Sequence, residues 1–223
     1  IAAFMQRPAV LTRDQVEGAP YVAHARDHRL IASVGNDIYA RRLADGAVGN
    51  PYSIYHVGDE LKDPEDGDLL GYQGLFTGEA DLNRVGDPAK LGVVDSARET
   101  LEADTLLQLP PDPKMDFVPR PRGTNVDGTI MSVIDDRTVV ADYDVVIINR
   151  GSKHGLEPGH VLEVWEAGEE VRDITPNRES SKVQLPDERN GLAMIFKAYD
   201  RMSYGLMWQS DREVHVGDAV RSP

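Results

Sequence analysis

The chain has 223 residues, of which 40% are hydrophobic and 28% charged, as is typical of one large or two small globular domains. This composition excludes a disordered tail, a collagen-like fibre and a bundle of membrane helices. Asp and Glu total 38 against 24 Lys and Arg, a formal net charge of −14. Nucleic acid and anionic lipid are therefore disfavoured as partners, because both are bound by cations that neutralise phosphate.

The chain has neither cysteines nor long apolar stretches, and these two absences exclude further kinds of site. The chain has no cysteine, which excludes disulfides, thiolate metal sites and a cysteine nucleophile. No stretch approaches the ~18 apolar residues that a membrane-spanning helix needs. No signal peptide is visible, but the chain begins at Ile1 rather than methionine. We expect a processed or excised fragment, for which a missing signal does not decide location.

The chain-order pattern predicts a short helical lead-in over residues 1–17, followed by strands. Thr12 and Gln15 form a capping box, and Gly18 is placed to end a helix of one or two turns. Gly and Pro turns then separate short apolar runs, as in an all-β sandwich or barrel. The runs are Asp37 to Leu43, Tyr52 to Val57, Leu69 to Phe76, Leu91 to Val94, Thr138 to Ala141, Val145 to Asn149, His160 to Trp165, Leu192 to Ala198 and Tyr204 to Gln209.

A proline-rich segment over residues 110–122 interrupts this pattern. Proline cannot donate to a strand ladder, and it stiffens an extended chain. The segment predicts a linker between a first β domain at 18–109 and a second at 123–223. The alternative is a long ordered loop inside one domain.

The two sides of the predicted linker resemble diverged copies of one unit. We matched strands and turn residues by pattern rather than identity. The matched segments are Asp37–Tyr39 with Asp144–Val146, Tyr52–Tyr55 with Val161–Val164, Asp59–Asp63 with Glu169–Asp173, Gly78–Leu82 with Gly191–Phe196, and Ala103–Leu106 with Gly217–Val220. The repeat therefore predicts two tandem small β-barrel or sandwich-like domains.

Clusters of potential metal ligands fail on spacing. His154, Glu157 and His160 are three residues apart, but Gly155 and the Pro158-Gly159 pair forbid the helix on which zinc ligands are usually arranged. The interpretation we favour is a turn with two solvated histidines. His24 and His28 lack a third ligand at a useful spacing. We predict no metal and no cofactor.

The acidic segment Asp63 to Asp68 superficially resembles a calcium loop. An EF-hand requires Gly at position six and Glu at position twelve, whereas from Asp63 these positions are Asp68 and Gly74. The segment predicts an acidic β-turn closed by Gly67.

No catalytic motif is visible in the sequence. The doublets Asp135-Asp136, Glu169-Glu170 and Asp187-Glu188 are adjacent residues that point to opposite faces of a strand, so they are poor candidates for paired catalytic carboxylates. There is no nucleophile elbow, phosphate-binding loop or dinucleotide fingerprint. Six aromatic residues could stack on sugars, and most of them fall in strand-core positions. The six are Tyr52, Tyr55, Tyr72, Trp165, Tyr204 and Trp208.

Two sets of segments carry a resemblance to a known family. In the first half they are Phe4–Val10, Ala19–Val22, Leu61–Pro64, Asp66-Gly67, Leu70–Tyr72 and Gly78–Ala80. In the second half they are Ile148–Gly151, Gly155–Leu162, Leu185–Arg189 and Gly217-Asp218. These segments resemble a family of Gram-negative LysM-domain envelope proteins described as peptidoglycan-binding. The resemblance implies a periplasmic or envelope location, with peptidoglycan bound through a LysM module upstream of this chain. The LysM signature itself does not occur here, so no glycan-binding residue can be assigned.

One motif is also similar to small β domains of flagellar and export assembly proteins. It comprises Asn149, Arg150 and Gly151, followed by Gly155, Pro158 and Gly159. The similarity implies a structural strand–turn–strand device, in which Asn and Gly close the turn and the next strand re-enters the barrel.

The sequence therefore predicts a non-enzymatic accessory region that contacts an unidentified envelope protein or the cell wall. The alternative is a hydrolase acting on cell-wall glycan or peptide, with its acid among Asp187, Glu188 and their neighbours.

Overall fold

A computed structural model describes residues 7–28, 30–108, 118–121, 125–134, 139–172 and 182–223. The protein is 56% strand and 6% helical, with one short α-helix near the N-terminus, which confirms the predicted all-β class. The chain forms two compact units, Ile1–Lys62 with Leu69–Pro113 and Asp63–Asp68 with Lys114–Pro223. The short segment 63–68 therefore belongs with the second half of the chain.

Within its described residues, the first unit holds one α-helix and seven strands. The helix α1 (Arg13–Gly18) begins at the Thr12 cap, where Gln15 N donates to Thr12 Oγ1 and Thr12 N donates to Gln15 Oε1, so the predicted capping box is confirmed. The strands are β1 (Ala9–Leu11), β2 (Tyr21–Ala25), β3 (Asp37–Arg41), β4 (Pro51–Lys62), β5 (Leu69–Arg84), β6 (Ala89–Ser96) and β7 (Thr105–Leu107), with a 3-10 turn at Arg26–His28.

The second unit contains the remaining strands. They are β8 (Arg120–Pro121), β9 (Asp127–Val133), β10 (Val139–Val140), β11 (Val145–Ile148), β12 (His160–Glu166), β13 (Glu170–Arg172), β14 (Lys182–Gln184), β15 (Glu188–Ala198), β16 (Ser203–Ser210), β17 (Val214–His215) and β18 (Ala219–Arg221), with a 3-10 turn at Ser152–His154. The predicted linker lies mostly outside the described residues. Within it, Arg120–Pro121 form β8, which pairs in parallel with the start of β12.

Each unit closes one sheet into a ring of six strands. In the first, the order is β5-β4-β7-β2-β3-β6, and β6 pairs back to β5, while β1 adds to β5 from outside. In the second, the order is β15-β16-β11-β9-β18-β12, and β12 pairs back to β15, while β8 adds to β12. Closure removes the exposed edges that an open sheet would present. We call these rings the first and second barrels.

The two rings have the same topology. Replacing β2, β3, β4, β5, β6 and β7 by β9, β11, β12, β15, β16 and β18 converts the first strand order into the second. Apolar side chains fill each ring separately. The first core is built around Ile38, Ile54, Leu82, Leu91 and Leu106. The second core is built around Ile130, Ile148, Leu162, Val164 and Ile195.

The repeat extends to individual backbone bonds. Val22 N donates to Asp104 O (2.8 Å) in the first barrel, and Ile130 N donates to Asp218 O (2.9 Å) in the second. Gly78 pairs with Ser96, and Gly191 pairs with Ser210, each followed by a bulge of the same offset. The two barrels therefore share one hydrogen-bond register.

Two of the residue matches made from sequence were wrong by one position. The carbonyl of Asn36 accepts from Val93 N in β6, and the carbonyl of Asp144 accepts from Met207 N in β16. Asn36, not Asp37, is therefore the equivalent of Asp144. The ladder to β7 and β18 aligns Ile54, not Tyr55, with Val164. A slip of one residue exchanges the two faces of a strand. The slip was not visible in the sequence, because both the true and the slipped pairings join residues of similar type.

Candidate functional site

The motif flagged in the second half forms the connection between β11 and β12. Asn149 follows β11 directly, and the chain then makes the 3-10 turn at Ser152–His154. Gly155 ends that turn at φ 72° and Gly159 lies at φ 93°, conformations in which glycine is the least strained residue. Pro158 occupies the exposed turn just before β12.

Gly151 holds the start of this connection against a neighbouring loop. A Cβ at Gly151 would lie 2.1 Å from Tyr199 O and 2.7 Å from Met202 N, so no side chain fits. Ser152 N donates to Tyr199 O (2.7 Å). Leu156 then inserts its buried side chain into the second core. The connection is a packed structural element rather than a free loop.

Asn149 is fully buried and uses both ends of its amide. Its Oδ1 accepts from Thr129 N (2.7 Å), and its Nδ2 donates to Asp63 Oδ1 (3.0 Å). Gly128 makes this arrangement possible, because a Cβ there would lie 2.6 Å from Arg150 Cγ and 3.0 Å from Asn149 Oδ1. Glycine inside a strand here marks a close approach by neighbouring groups.

Arg201 completes a cluster with the acidic turn 63–68 of the same unit. Its guanidinium donates to Asp68 Oδ2 (2.8 Å), Asp66 Oδ2 (2.7 Å) and Asp63 Oδ2 (3.0 Å). Arg150 Nη2 donates to Glu65 Oε1 (2.5 Å). We call Asn149, Arg150, Arg201 and the turn 63–68 the arginine cluster.

The acidic turn is shaped to present its carboxylates. Gly67 N donates to Asp63 O (2.8 Å) and Gly67 lies at φ 78°, so Gly67 closes the turn as the sequence predicted. Asp63 Oδ1 also accepts from Glu65 N (3.1 Å), and Asp66 Oδ1 accepts from Asp68 N (2.9 Å). Side chains of Asp and Asn commonly bond their own backbone in this way in turns.

The electrostatics of the cluster lower the pKa of two of its carboxyls, Asp63 and Glu65. Burial alone raises the pKa of Asp63, but bonds from Asn149, the Glu65 amide and Arg201 outweigh it, and the pKa is lowered. The Arg150 guanidinium lowers the pKa of Glu65. Asp68 and Asp66 raise the pKa of Arg201 above its already high value. The cluster can therefore hold the turn 63–68 by charge-assisted bonds.

A second feature is a buried aspartate before the last ring strand of each barrel. Asp104 Oδ2 accepts from Leu101 N, and Asp218 Oδ2 accepts from His215 N, both at 2.9 Å. The preceding residue has a positive φ in both cases, 70° at Ala103 and 102° at Gly217. Burial raises the pKa of both Asp104 and Asp218.

The neighbours of these two aspartates differ between the barrels. His56 Nδ1 lies 2.9 Å from Asp104 Oδ1. The equivalent of His56 in the second barrel is Glu166, whose Oε2 accepts from Asn190 Nδ2 (3.0 Å). The charge of Glu166 adds to burial in raising the pKa of Asp218. The buried acid of the first barrel thus lies beside a base. That of the second lies near both His215, whose charge lowers the pKa of Asp218, and Glu166, whose weaker effect raises it.

The histidines that were considered as zinc ligands and predicted to be solvated accept backbone amides. His154 is exposed as predicted, but the prediction is wrong for His160, which is buried. His154 Nδ1 accepts from Gly151 N (3.0 Å), and His160 Nδ1 accepts from Glu157 N (3.2 Å). Burial, followed by the charges of Arg150 and Arg201, lowers the pKa of His154. His24 Nδ1 lies 2.6 Å from Glu102 Oε1. Within the part of the chain that the structure describes, no three His, Asp or Glu side chains are grouped to hold a metal ion.

The carboxylates proposed for a hydrolase are engaged in ion pairs. Asp187 Oδ2 accepts from Arg221 Nη2 (2.8 Å), and that bond, with one from Gly168 N, lowers the pKa of Asp187. Glu188 pairs with Arg212, and Glu170 with Lys182 (2.8 Å). A general acid at neutral pH needs a raised pKa. The pKa of Asp187 is shifted in the opposite direction. Asp135-Asp136 lies outside the described residues.

The aromatic residues divide between core and surface. Tyr52, Tyr55 and Tyr204 are buried, and Tyr72 and Trp165 are partly buried. Trp208 is nearly half exposed on β16. Of the six aromatic candidates, Trp208 is therefore the one with a largely accessible ring.

Two groups were missed by reasoning from the sequence. Arg201 stands alone among apolar and polar loop residues, and no local pattern connects it to a turn more than 130 residues away. Asp104 and Asp218 were aligned with one another as repeat markers, but their burial was not predicted. The pair Gly217-Asp218 is a turn signal that could have identified the second of these turns, whereas Ala103-Asp104 carries no such signal.

Comparison with known proteins adds no assignment. Neither the protein-family models nor the curated proteins gave a match to this chain. The resemblance to LysM-domain envelope proteins therefore stays a prediction.

Proposed function

We propose that this chain is a non-enzymatic accessory region of a cell-envelope protein, and that it presents two duplicated barrels as binding surfaces. In this proposal a LysM module upstream binds peptidoglycan, and the barrels contact a protein partner or the cell wall in the periplasm. The observation that carries the proposal is that the motif linking the chain to the family, Asn149 to Gly159, serves the arginine cluster and the second core. In this motif Asn149 and Arg150 bond residues of the turn 63–68, and Leu156 packs into the second core, which supports a structural role.

The state of the candidate acids supports the same proposal. Asp187 is held ionised by Arg221. Asp104 and Asp218, the carboxyls with raised pKa, are buried before ring strands and accept backbone amides. A catalytic acid must reach its substrate, whereas these two carboxyls satisfy the turns that start β7 and β18. No helix among the described residues is long and apolar enough to cross a membrane.

The test is incubation of the chain with fluorescently labelled sacculi, followed by measurement of both pelleted protein and released soluble fragments. We expect no released muropeptides and little pelleting at low or moderate salt, because the stem peptides carry carboxylates that repel a chain of charge −14. A chimera with a LysM module fused at the N-terminus is expected to pellet.

Two outcomes would contradict the proposal in different ways. Release of soluble fragments by the wild type that Asp187→Asn abolishes would establish the hydrolase alternative. Strong pelleting of the unfused chain at both salt concentrations would assign glycan recognition to the barrels themselves.

A further inference from the structure

Five large apolar side chains are exposed at one end of the first barrel. Leu30, Ile31 and Val34 lie in the loop that precedes β3, with Leu30 85% and Val34 58% exposed. Val94 on β6 is 50% exposed, and Leu101 precedes β7. We call these five residues the apolar end of the first barrel. Single exposed apolar residues are ordinary, but contiguous groups of them mark interaction surfaces.

Backbone bonds bring these residues together and fix their loop. Ala32 and Thr100 donate to each other's carbonyls at 2.9 and 3.0 Å, which places Ile31 beside Leu101. Gly35 N donates to Val93 O (2.9 Å), which places Val34 beside Val94. Ala32 is buried between its exposed neighbours. The loop is therefore anchored on both sides while its large side chains face solvent.

The charges around the apolar end are mostly acidic. In the described stretches that carry the five residues, the exposed acids are Asp27, Asp95, Glu99 and Glu102. The bases in these described stretches are Arg26, which is exposed and paired with Asp37 (3.0 Å), and Arg98, which is partly exposed. Of the acids, Glu102 lies 2.6 Å from His24. An apolar centre with an acidic margin is complementary to an apolar face with a basic margin, and it repels an anionic membrane surface.

The second barrel repeats this surface with different residues. Trp208 occupies the position of Val94, and Tyr143 occupies that of Gly35, because Tyr143 N donates to Met207 O as Gly35 N does to Val93 O. Both aromatic side chains are exposed, as is Val216 in the loop before β18. The exposed acids Asp142, Asp211 and Glu213 lie in the same stretches, together with the exposed base Arg212, which is paired with Glu188. The two copies have kept apolar exposure at the same end although the side chains differ.

We infer that the apolar end of the first barrel is a docking surface for a basic amphipathic segment of a partner protein, with Leu30, Ile31, Val34, Val94 and Leu101 contacting its apolar face. The inference rests on the proposed binding function and names the surface and the chemistry of the partner. Its readout is independent of the sacculus assay, so the two can fail separately.

The probe is a synthetic amphipathic helix with a leucine face and a lysine polar face. Two matched peptides carry glutamate in place of lysine, or the same leucines and lysines in scrambled order. Methyl chemical shifts of the full chain report the binding site. We expect the lysine peptide to shift the methyl groups of the apolar end, and to bind roughly tenfold more tightly than either matched peptide.

A variant separates the apolar contribution from the net charge. Leu30→Ser with Val34→Ser leaves every charge in place and alters side chains that the core does not use. We expect this variant to melt like the wild type and to bind the lysine peptide roughly tenfold more weakly. Equal binding of the scrambled peptide, an undiminished affinity of the variant, shifts located elsewhere, or no binding of the lysine peptide would each overturn the inference.

Discussion

The two barrels agree where backbone groups must be satisfied and differ where side chains meet solvent. Asp104 and Asp218 accept from equivalent backbone amides of equivalent turns, those of Leu101 and His215. Beside them, the first barrel has His56 and the second has Glu166. The cost of leaving a buried amide without an acceptor applies equally to both copies. A half-exposed neighbour is under no such constraint, so it was free to change from base to acid.

The two β-hairpins that connect equivalent strands show the same division. The turn 63–68 alone connects β4 to β5. The connection between β12 and β15 is longer and includes the β13–β14 ribbon. The acidic turn is bonded by Arg201 and Arg150, and the ribbon is not part of that cluster among the described residues. Duplication thus preserved the rings and diversified their extensions.

The largest expected effect comes from the two glycines that the register comparison makes equivalent. A Cβ at Gly78 would lie 2.3 Å from Asp95 O, and one at Gly191 would lie 2.4 Å from Gln209 O. Gly78→Ala and Gly191→Ala are each expected to lower the free energy of unfolding by about 2–3 kcal/mol, because a backbone strand must shift.

Urea denaturation followed by circular dichroism measures this effect. Gly18→Ala is the control, since nothing lies within 4 Å of a Cβ there. Tryptophan fluorescence reports the second barrel alone, because Trp165 and Trp208 both lie in it. If alanine is tolerated at one of the two equivalent glycines and not at the other, the barrels do not share a register.

The next effect separates the second unit from the first. Arg201→Ala removes a donor from buried Asp63 and is expected to lower the free energy of unfolding of the second unit by roughly 1–3 kcal/mol. The pKa of Asp63 is lowered in the folded state, so this contribution is present above the ordinary pKa of aspartate and is lost as the pH falls through the folded value. The difference between wild type and variant is therefore expected to shrink in acid.

Lys153→Ala is the matched control for Arg201→Ala. Its pair with Asp200 (3.1 Å) is exposed on both sides, so the change is expected to cost less than about 0.5 kcal/mol. A loss for Arg201→Ala no larger than this control, or one independent of pH, would show that the arginine cluster contributes little.

The smallest effect tests the divergence of the buried acids. Because burial and Glu166 raise the pKa of Asp218, its ionised form is disfavoured in the folded state. Asp218→Asn is expected to stabilise the second barrel at pH 7 by up to about 1 kcal/mol. Asp104→Asn is expected to bring less, because it gives up the bond to His56.

The pH dependence fixes the sign of this prediction. A raised folded pKa gives stability that is full below the ordinary value and is lost as the pH rises through the folded value. As the pH falls from 7 toward 4, the free energy of unfolding of the wild type is therefore expected to rise relative to that of Asp218→Asn. Urea denaturation measures this difference. A variant less stable than the wild type at pH 7, with a gap that does not change on acidification, would contradict the account.

Much of the fold follows from the sequence because turns and apolar runs are local signals. The capping box at Thr12 and the strands around Tyr52, Val145 and His160 were found in this way. β2 and β9 were not predicted. Tyr21 to Ala25 mixes small and polar residues, and β9 begins with Asp127-Gly128, a pair that normally indicates a turn.

The candidate site was less predictable for a physical reason. Asn149 and Arg150 were singled out as residues of a turn; they lie between β11 and the 3-10 turn at Ser152–His154, and their partners lie in segment 63–68. Contacts at such separations are set by strand register, and neither composition nor local periodicity carries the register of a closed ring. The acidic turn was predicted as a turn, but its arginine partners were not.

The central claim is that the chain contains one barrel design twice, with the same backbone hydrogen bonds. Scalar couplings measured by NMR through individual hydrogen bonds test this directly. We expect a coupling between Val22 N and the Asp104 carbonyl, and an equivalent coupling between Ile130 N and the Asp218 carbonyl. Detection of only one of these, or of either amide bonded to a different carbonyl, would contradict the duplication of the barrel.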